Sequence, residues 1–174
     1  MLARQNCPSW DEVYLSMAHV IKQRSKDPST QVGAILVGKD NRILSSGYNG
    51  TPHGFDDKSF PWGKGSPNPL NNKDLFVIHA ELNAILNFKG IGKELEGSTA
   101  YVTLFPCNEC AKTLVQSGVK RIVYSDRKDD ITYQASEILF NNAGAELIHS
   151  TKILPTIHSV SYTHLRAHET KANL

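Results

Sequence analysis

The chain carries His79-Ala80-Glu81 and, beyond a glycine-rich stretch and a strand-like run, Pro106-Cys107-Asn108-Glu109-Cys110. Cys107 and Cys110 stand three apart at a helix start, so both sulfurs point the same way and reach one ion. His79 begins the preceding helix and adds a ring nitrogen, which obliges the fold to bring two helix starts together. Imidazole and thiolate are ligands of zinc. Structural zinc sites close the metal with four protein ligands, whereas three ligands and a nearby acid leave one position for water. Glu81 is that acid: offset around its helix, it faces a substrate instead of the metal and takes and returns a proton. A helix N-terminus also favours thiolate over thiol. The competing reading is a structural site closed by Cys7, with Glu81 a surface residue.

The order of elements around the motif narrows the fold. Trp10, Val13, Tyr14, Met17, Ala18 and Ile21 recur at helical spacing from Trp10 to Arg24, after the start signal Pro8-Ser9. Val32 to Val37 and Ile43 to Tyr48 are short apolar runs joined by Gly38-Lys39-Asp40-Asn41, which predicts a β-hairpin. Asn49 to Lys73 is rich in Gly, Pro, Asn and Asp and reads as a long loop of the kind that carries function. Helices are expected from Ile78, from Cys107 to Gln116 and from Asp130 to Asn142. Strands are expected at Thr99 to Phe105, Arg121 to Tyr124 and Ala145 to His149. Alternation after a hairpin favours an α/β sheet covered by helices on both faces, with right-handed crossovers.

With 174 residues, 40% hydrophobic and 21% charged, the sequence suits one compact domain. Its net charge of +2 is too mild for a nucleic-acid-coating surface, so any anionic partner is expected to be small. Three cysteines, two in one motif, fit metal ligation in a reducing compartment better than a disulfide framework. Met1 to Pro8 has no signal-peptide core, and no apolar run nears the ~20 residues of a membrane span. These features predict a cytoplasmic protein with neither membrane nor nucleic acid as partner. The domain is expected to occupy residues 1–158. Residues 159–174 read as non-native or disordered, since Val160 to Thr170 resembles the translated mosaic-end adapter of transposon-based sequencing libraries. His164 and His168 there stand at i, i+4 but read as incidental.

The H-x-E and P-C-x-x-C pair resembles the signature of zinc-dependent deaminases. The chain further resembles the deoxycytidylate deaminase group of the cytidine/deoxycytidylate deaminase family up to about Pro155. The likeness rests on Arg24-Ser25-Lys26-Asp27-Pro28, Gln31-Val32-Gly33-Ala34, Gly47-Tyr48-Asn49-Gly50 with Pro52, Gly54, Asp56 and Asp57, His79 to Ile85, and Leu104 to Lys112. It implies a three-layer α/β/α cytidine deaminase-like fold, with a mixed sheet of about five strands and an N-terminal β-hairpin. It also implies hydrolytic deamination of dCMP to dUMP and ammonia for thymidylate synthesis. By the same resemblance His79, Cys107 and Cys110 hold Zn2+, Glu81 is catalytic and Ala80 borders the substrate. The family is commonly hexameric, activated by dCTP with Mg2+ and inhibited by dTTP, which points to Tyr48, Asn49, Gly50, Asp56 and Asp57 as an effector-binding stretch. Phe60 to Gly65 departs from the vertebrate-like pattern, which has basic residues at both positions after the tryptophan.

A nucleotide substrate needs an anion site, and Arg24, Ser25 and Lys26 offer charge and donors at the end of the first helix. A solvated helix end is the alternative. Asn49, in a glycine-flanked turn, is expected to bind the sugar hydroxyl or ring edge, with Asn83 bracing the site. Ser125 and Asp126 lie at a strand end, where α/β sheets tend to bind ligands. Tyr133 and Phe105 read as core aromatics, though Phe105 stands beside the metal loop. The rivals are a deaminase of free nucleosides or nucleic-acid bases and a nucleotide-sensing protein without catalysis.

Overall fold

The computed structural model describes residues 3–154, so the tail with His164 and His168 lies outside them. Five strands form one mixed sheet in the order β2-β1-β3-β4-β5. β1 (Gly33–Val37) pairs antiparallel with both β2 (Ile43–Tyr48) and β3 (Thr99–Val102). β3, β4 (Arg121–Tyr124) and β5 (Glu146–His149) run parallel. The hairpin turn is closed by Gly38 N–H to Arg42 O at 2.9 Å, with Asn41 in the left-handed region at φ 60°.

Every residue of β1 is buried, as a strand covered on both faces requires. Its alternating side chains divide the core. Ala34 and Leu36 join Ala100, Val102 and Ile122 beneath α2 (Ala80–Asn87), α3 (Asn108–Gln116) and α4 (Ile131–Asn142). Ile35 and Val37 face the other way, with Tyr101 and Val123, onto α1 (Trp10–Ile21). The result is the three-layer α/β/α arrangement. α1 begins with a capping box in which Glu12 N–H donates to Ser9 Oγ at 3.3 Å and Ser9 N–H donates to Glu12 Oε2 at 2.7 Å.

Several element ends shift by a few residues. The first helix tightens into a single turn over Lys22–Arg24, and the third strand stops at Val102, beyond which Thr103 to Cys107 turn into α3. The expected long loop is ordered into two short helical turns, Pro69–Asn71 and Lys73–Leu75. Its ends are paired by Gly50 N–H to Ile78 O at 3.0 Å and Ile78 N–H to Gly50 O at 2.9 Å. No helix among the described residues is long and apolar enough to cross a membrane.

Candidate metal centre and substrate cleft

α2 lies along β2 at close range. Ser45 Oγ–H donates to Ala84 O at 2.6 Å, Asn83 Nδ2 to Tyr48 O at 2.7 Å and Asn87 Nδ2 to Ser46 O at 3.0 Å. Asn83 therefore braces the helix rather than the cleft. This strapping aims the start of α2 toward the start of α3. His79 and Cys107 occupy the N-cap positions of those helices, in extended conformations with ψ 156° and ψ 170°. Ser, Thr, Asp or Asn would ordinarily stand there and use the side chain as a cap. His79 and Cys107 make no side-chain cap, so their ring and thiol are free to point elsewhere.

They point at each other. His79 Nδ1 is 3.4 Å from Cys107 Sγ and 3.4 Å from Cys110 Sγ. All three ligand atoms lie within 4.8 Å of one another. Tetrahedral zinc with Zn–S near 2.3 Å and Zn–N near 2.05 Å separates such atoms by about 3.5 Å, so this donor set fits the ion. Cys7 is exposed, with its thiol 3.8 Å from Arg4 O, and is not in the cluster.

The electrostatics suit a metal and a proton carrier. Hydrogen bonding from Cys110, opposed by burial and aided by His79, pulls the Cys107 thiol down to about 4. The same pairing with Cys107, together with burial, pushes the Cys110 thiol up. His79 is raised, chiefly by its bond to Cys107, against the effect of burial. Glu81, in the first turn of α2, is 4% exposed, and burial raises its pKa above the usual carboxylate range. Its Oε2 lies 3.5 Å from Cys110 Sγ.

Glu81, His79, Ala80 and Cys107 line a cleft of about 340 Å³, with Asn49 on its wall and Phe105 and Tyr133 among its apolar lining. Phe105 is also a core ring, packed on Tyr124, Tyr133 and Phe140, with the Arg127 guanidinium 5.0 Å from its centroid.

Other expected site residues are placed apart from this cleft. Arg24 and Lys26 line a second depression with Tyr48, Gly50, Thr51, His53, Asp57 and Trp62, and Lys26 is ion-paired to Asp57. Ser25 Oγ–H donates to Asn49 O at 2.8 Å, which leaves it bracing the turn. Within the expected effector stretch, Tyr48, Gly50 and Asp57 line that second depression, Asn49 faces the metal cleft, and Asp56 lies exposed in a turn, accepting from Lys58 N–H at 3.2 Å. Ser125 and Asp126 line a third depression, where Ser125 Oγ is 2.7 Å from His19 Nε2.

Sequence reasoning missed a buried ion pair in the metal cleft. Lys73 and Asp27 are each 2% exposed at their side chains and both line the cleft. Burial pushes Asp27 up, but hydrogen bonds from Lys73 and from the N–H groups of Ser29 and Thr30 together hold it below the usual carboxylate range. Asp27 before Pro28 and Ser29 carries a turn signal. Nothing local marks Lys73.

Residues 8–126 match the model of the cytidine and deoxycytidylate deaminase zinc-binding region. The chain belongs to that family. Among relatives of this deaminase, deoxycytidylate deaminase of Homo sapiens is 43% identical over 143 residues, covering 81% of this chain and 79% of its own length. A probable deoxycytidylate deaminase of Drosophila melanogaster is 44% identical over 144 residues, covering 79% and 70%. The crystal structure of dCMP deaminase from the cyanophage S-TIM5 in complex with dCMP and dUMP superposes with a TM-score of 0.64 at 32% identity, covering 84% of this chain and 100% of that one. The fold of this deaminase is thus shared with that structure.

Proposed function

We propose that this deaminase hydrolyses dCMP to dUMP and ammonia, with zinc held by His79, Cys107 and Cys110 and Glu81 as the proton carrier. The observation that carries the reading is the meeting of one ring nitrogen and two sulfurs beside a buried carboxylate in a cleft. Relatives named deoxycytidylate deaminase support the choice of substrate. Zinc bound there would lower the pKa of a water molecule toward ~7 and so supply the nucleophile near neutral pH.

The remaining work falls to the chain's own groups. Glu81 accepts a proton of the attacking water on its carboxylate and delivers it to the ring nitrogen beside the carbon under attack, then takes the remaining proton of the added oxygen and passes it to the amine, so that the C–N bond breaks as the carbonyl forms and ammonia departs. Burial suits it to this role, because a carboxyl whose pKa is raised toward the working pH both takes and gives a proton readily. Leu104, Phe105 and Val77 give the cleft apolar walls that exclude bulk water and orient the base. Asn49 stands on the wall where the sugar would lie.

The second depression, with Arg24 and Lys26 beside Trp62, is the place we assign to a nucleotide effector, dCTP with Mg2+ or dTTP. Its separation from the metal cleft favours this over a role for these cations in holding the substrate phosphate.

The test is ammonia release from zinc-loaded protein offered dCMP, deoxycytidine, dCTP, CMP and a short oligonucleotide, with Glu81→Ala as control. A preference for dCMP in the wild type, with turnover that falls by about 10²- to 10⁴-fold in the variant, supports the proposal, that range being the usual contribution of a positioned acid or base. Activity confined to deoxycytidine or the oligonucleotide would keep the mechanism and overturn the substrate. Inertness toward all five, with dCTP and magnesium added, would favour a sensing role.

A further inference from the structure

The third depression, about 480 Å³ in volume, opens beside the metal cleft: Thr30, Leu104 and Lys128 line both. The charges of the cleft show which way an anionic substituent leaves it. Lys73 is ion-paired with Asp27, and Lys64 with Asp74 at 3.3 Å, so both are already balanced. Lys128 is the one lysine on the cleft wall with no carboxylate in ion-pair contact among the described residues. A nucleotide whose base lies at the metal and whose phosphate meets that charge therefore carries its phosphate to the opening between the two hollows.

Beyond the opening, the depression is furnished for more phosphate than dCMP possesses. Lys22, half-buried just past α1, lines it and likewise has no carboxylate partner among the described residues. Ser29, Thr30 and Thr151 line it too, and their hydroxyls make no hydrogen bond among the described residues. Other polar groups there are engaged: Ser125 Oγ–H donates to Thr103 O at 3.2 Å and lies 2.7 Å from His19 Nε2. Burial, and after it the Lys22 charge, hold His19 below the ordinary imidazole value, so its ring adds no cation near neutral pH. Two ammoniums and three hydroxyls make a donor set for a phosphate chain, whose ionised oxygens only accept. Asp126, exposed, is the one carboxylate on the wall. It suits the magnesium that accompanies a triphosphate, an ion commonly held between phosphates and one or two carboxylates. A monophosphate at Lys128 leaves the rest of this hollow unused.

We propose that this deaminase also converts dCTP to dUTP, with the α-phosphate at Lys128 and the two outer phosphates in the third depression against Lys22. Water is consumed and ammonia released at the same centre, and the phosphate chain stays intact. The inference rests on the dCMP reading above and widens its substrate class to nucleotides with a longer phosphate tail. It is separate from the effector role given to the second depression, which shares no residue with the third.

The experiment identifies products by mass from dCMP, from dCTP with magnesium and from deoxycytidine, using the zinc-loaded full chain. dUTP should form from dCTP with a kcat/KM above that for deoxycytidine. It should stay below that for dCMP, because solvent-touched lysines restore only part of the hydration that the tail gives up. Lys22→Met should lower the ratio of kcat/KM for dCTP to that for dCMP by about tenfold, the lower end of the worth of a hydrogen bond to a charged group. Lys22→Arg, which keeps the charge, should hold the ratio near its wild-type value, and thermal unfolding confirms that both variants are folded. A chain that turns over dCMP but forms no dUTP from dCTP overturns the inference and leaves the dCMP reading standing. A ratio unchanged in folded Lys22→Met overturns it too. A wild type inert toward both nucleotides refutes the dCMP reading, and the inference with it.

Discussion

Gly47 on β2 faces the start of α2 with no room to spare. A Cβ there would stand 2.3 Å from Ala80 O, 2.4 Å from Ala84 N and 2.9 Å from Asn83 C, all backbone atoms of the helix that presents His79 and Glu81. Ordinary contact begins near 3.4 Å, so Gly47→Ala requires α2 to retreat by about 1 Å. Cys107 and Cys110 ride on α3 and would stay behind, widening the 3.4 Å spacings from Nδ1 to the two sulfurs. Overpacking of this kind costs about 1–3 kcal/mol, or a Tm lower by roughly 2–12 °C for a domain of this size. A 1 Å misplacement of reacting groups costs about 10²-fold in rate.

Gly33→Ala is the matched control, since its Cβ would meet Ala18 O at 2.1 Å and Lys22 N at 2.7 Å and push on α1, across the sheet from the metal ligands. The expected result is a similar fall in Tm for both variants by calorimetry. Bound zinc by atomic emission and turnover of dCMP should be lost far more in Gly47→Ala. A Gly47→Ala protein with a full equivalent of zinc and wild-type turnover would refute the claim that the β2–α2 contact sets the site, as would a Gly33→Ala protein that sheds zinc as readily.

Two further outcomes are expected. Cys107→Ala and Cys110→Ala should each lower zinc content well below one equivalent, whereas Cys7→Ala should retain it; zinc loss on replacing Cys7 would restore the structural-site reading. Asp11 is held by Arg121 through bonds of 2.8 and 2.7 Å, and that hydrogen bonding lowers its pKa below the ordinary value. A lowered folded pKa stabilises fully above the unfolded value of ~3.9 and is lost as pH falls through the folded value. The stability gap between wild type and Asp11→Asn in urea should accordingly be constant above about pH 5 and close as the medium becomes more acid; a gap that opened with acidification would contradict the assignment.

The frame of the molecule was legible because periodicity and punctuation are local signals. Trp10 to Ile21, the hairpin with its left-handed Asn41, and the helix opened by Asp130 all follow from spacing and caps within a few residues. The cluster of His79, Cys107 and Cys110 was legible for the same reason, each residue lying in a short motif at a helix start. Arg24 and Lys26 were attractive as phosphate ligands from their charge and donors at the end of the first helix, and only tertiary placement puts them in a depression of their own. Lys73 is the opposite case. In a polar stretch with no apolar period it reads as solvated, yet the fold buries it against Asp27, 46 residues away. A contact between two loops leaves no trace in either one.

The paired bridge between Gly50 and Ile78 lets the chain leave the framework and return to it at neighbouring points. Residues 51–77 are consequently an excursion whose ends are clamped, and lengthening a clamped loop is cheap, about 0.6 kcal/mol for each doubling. Lys73, Lys64 and Val77 on the cleft wall all belong to it, whereas His79, Glu81, Cys107 and Cys110 do not. Substrate preference can thus drift by insertion, deletion or exchange of this one segment while the reaction stays fixed. A library confined to 51–77 is the economical route to new nucleotide specificities on an unchanged hydrolytic centre.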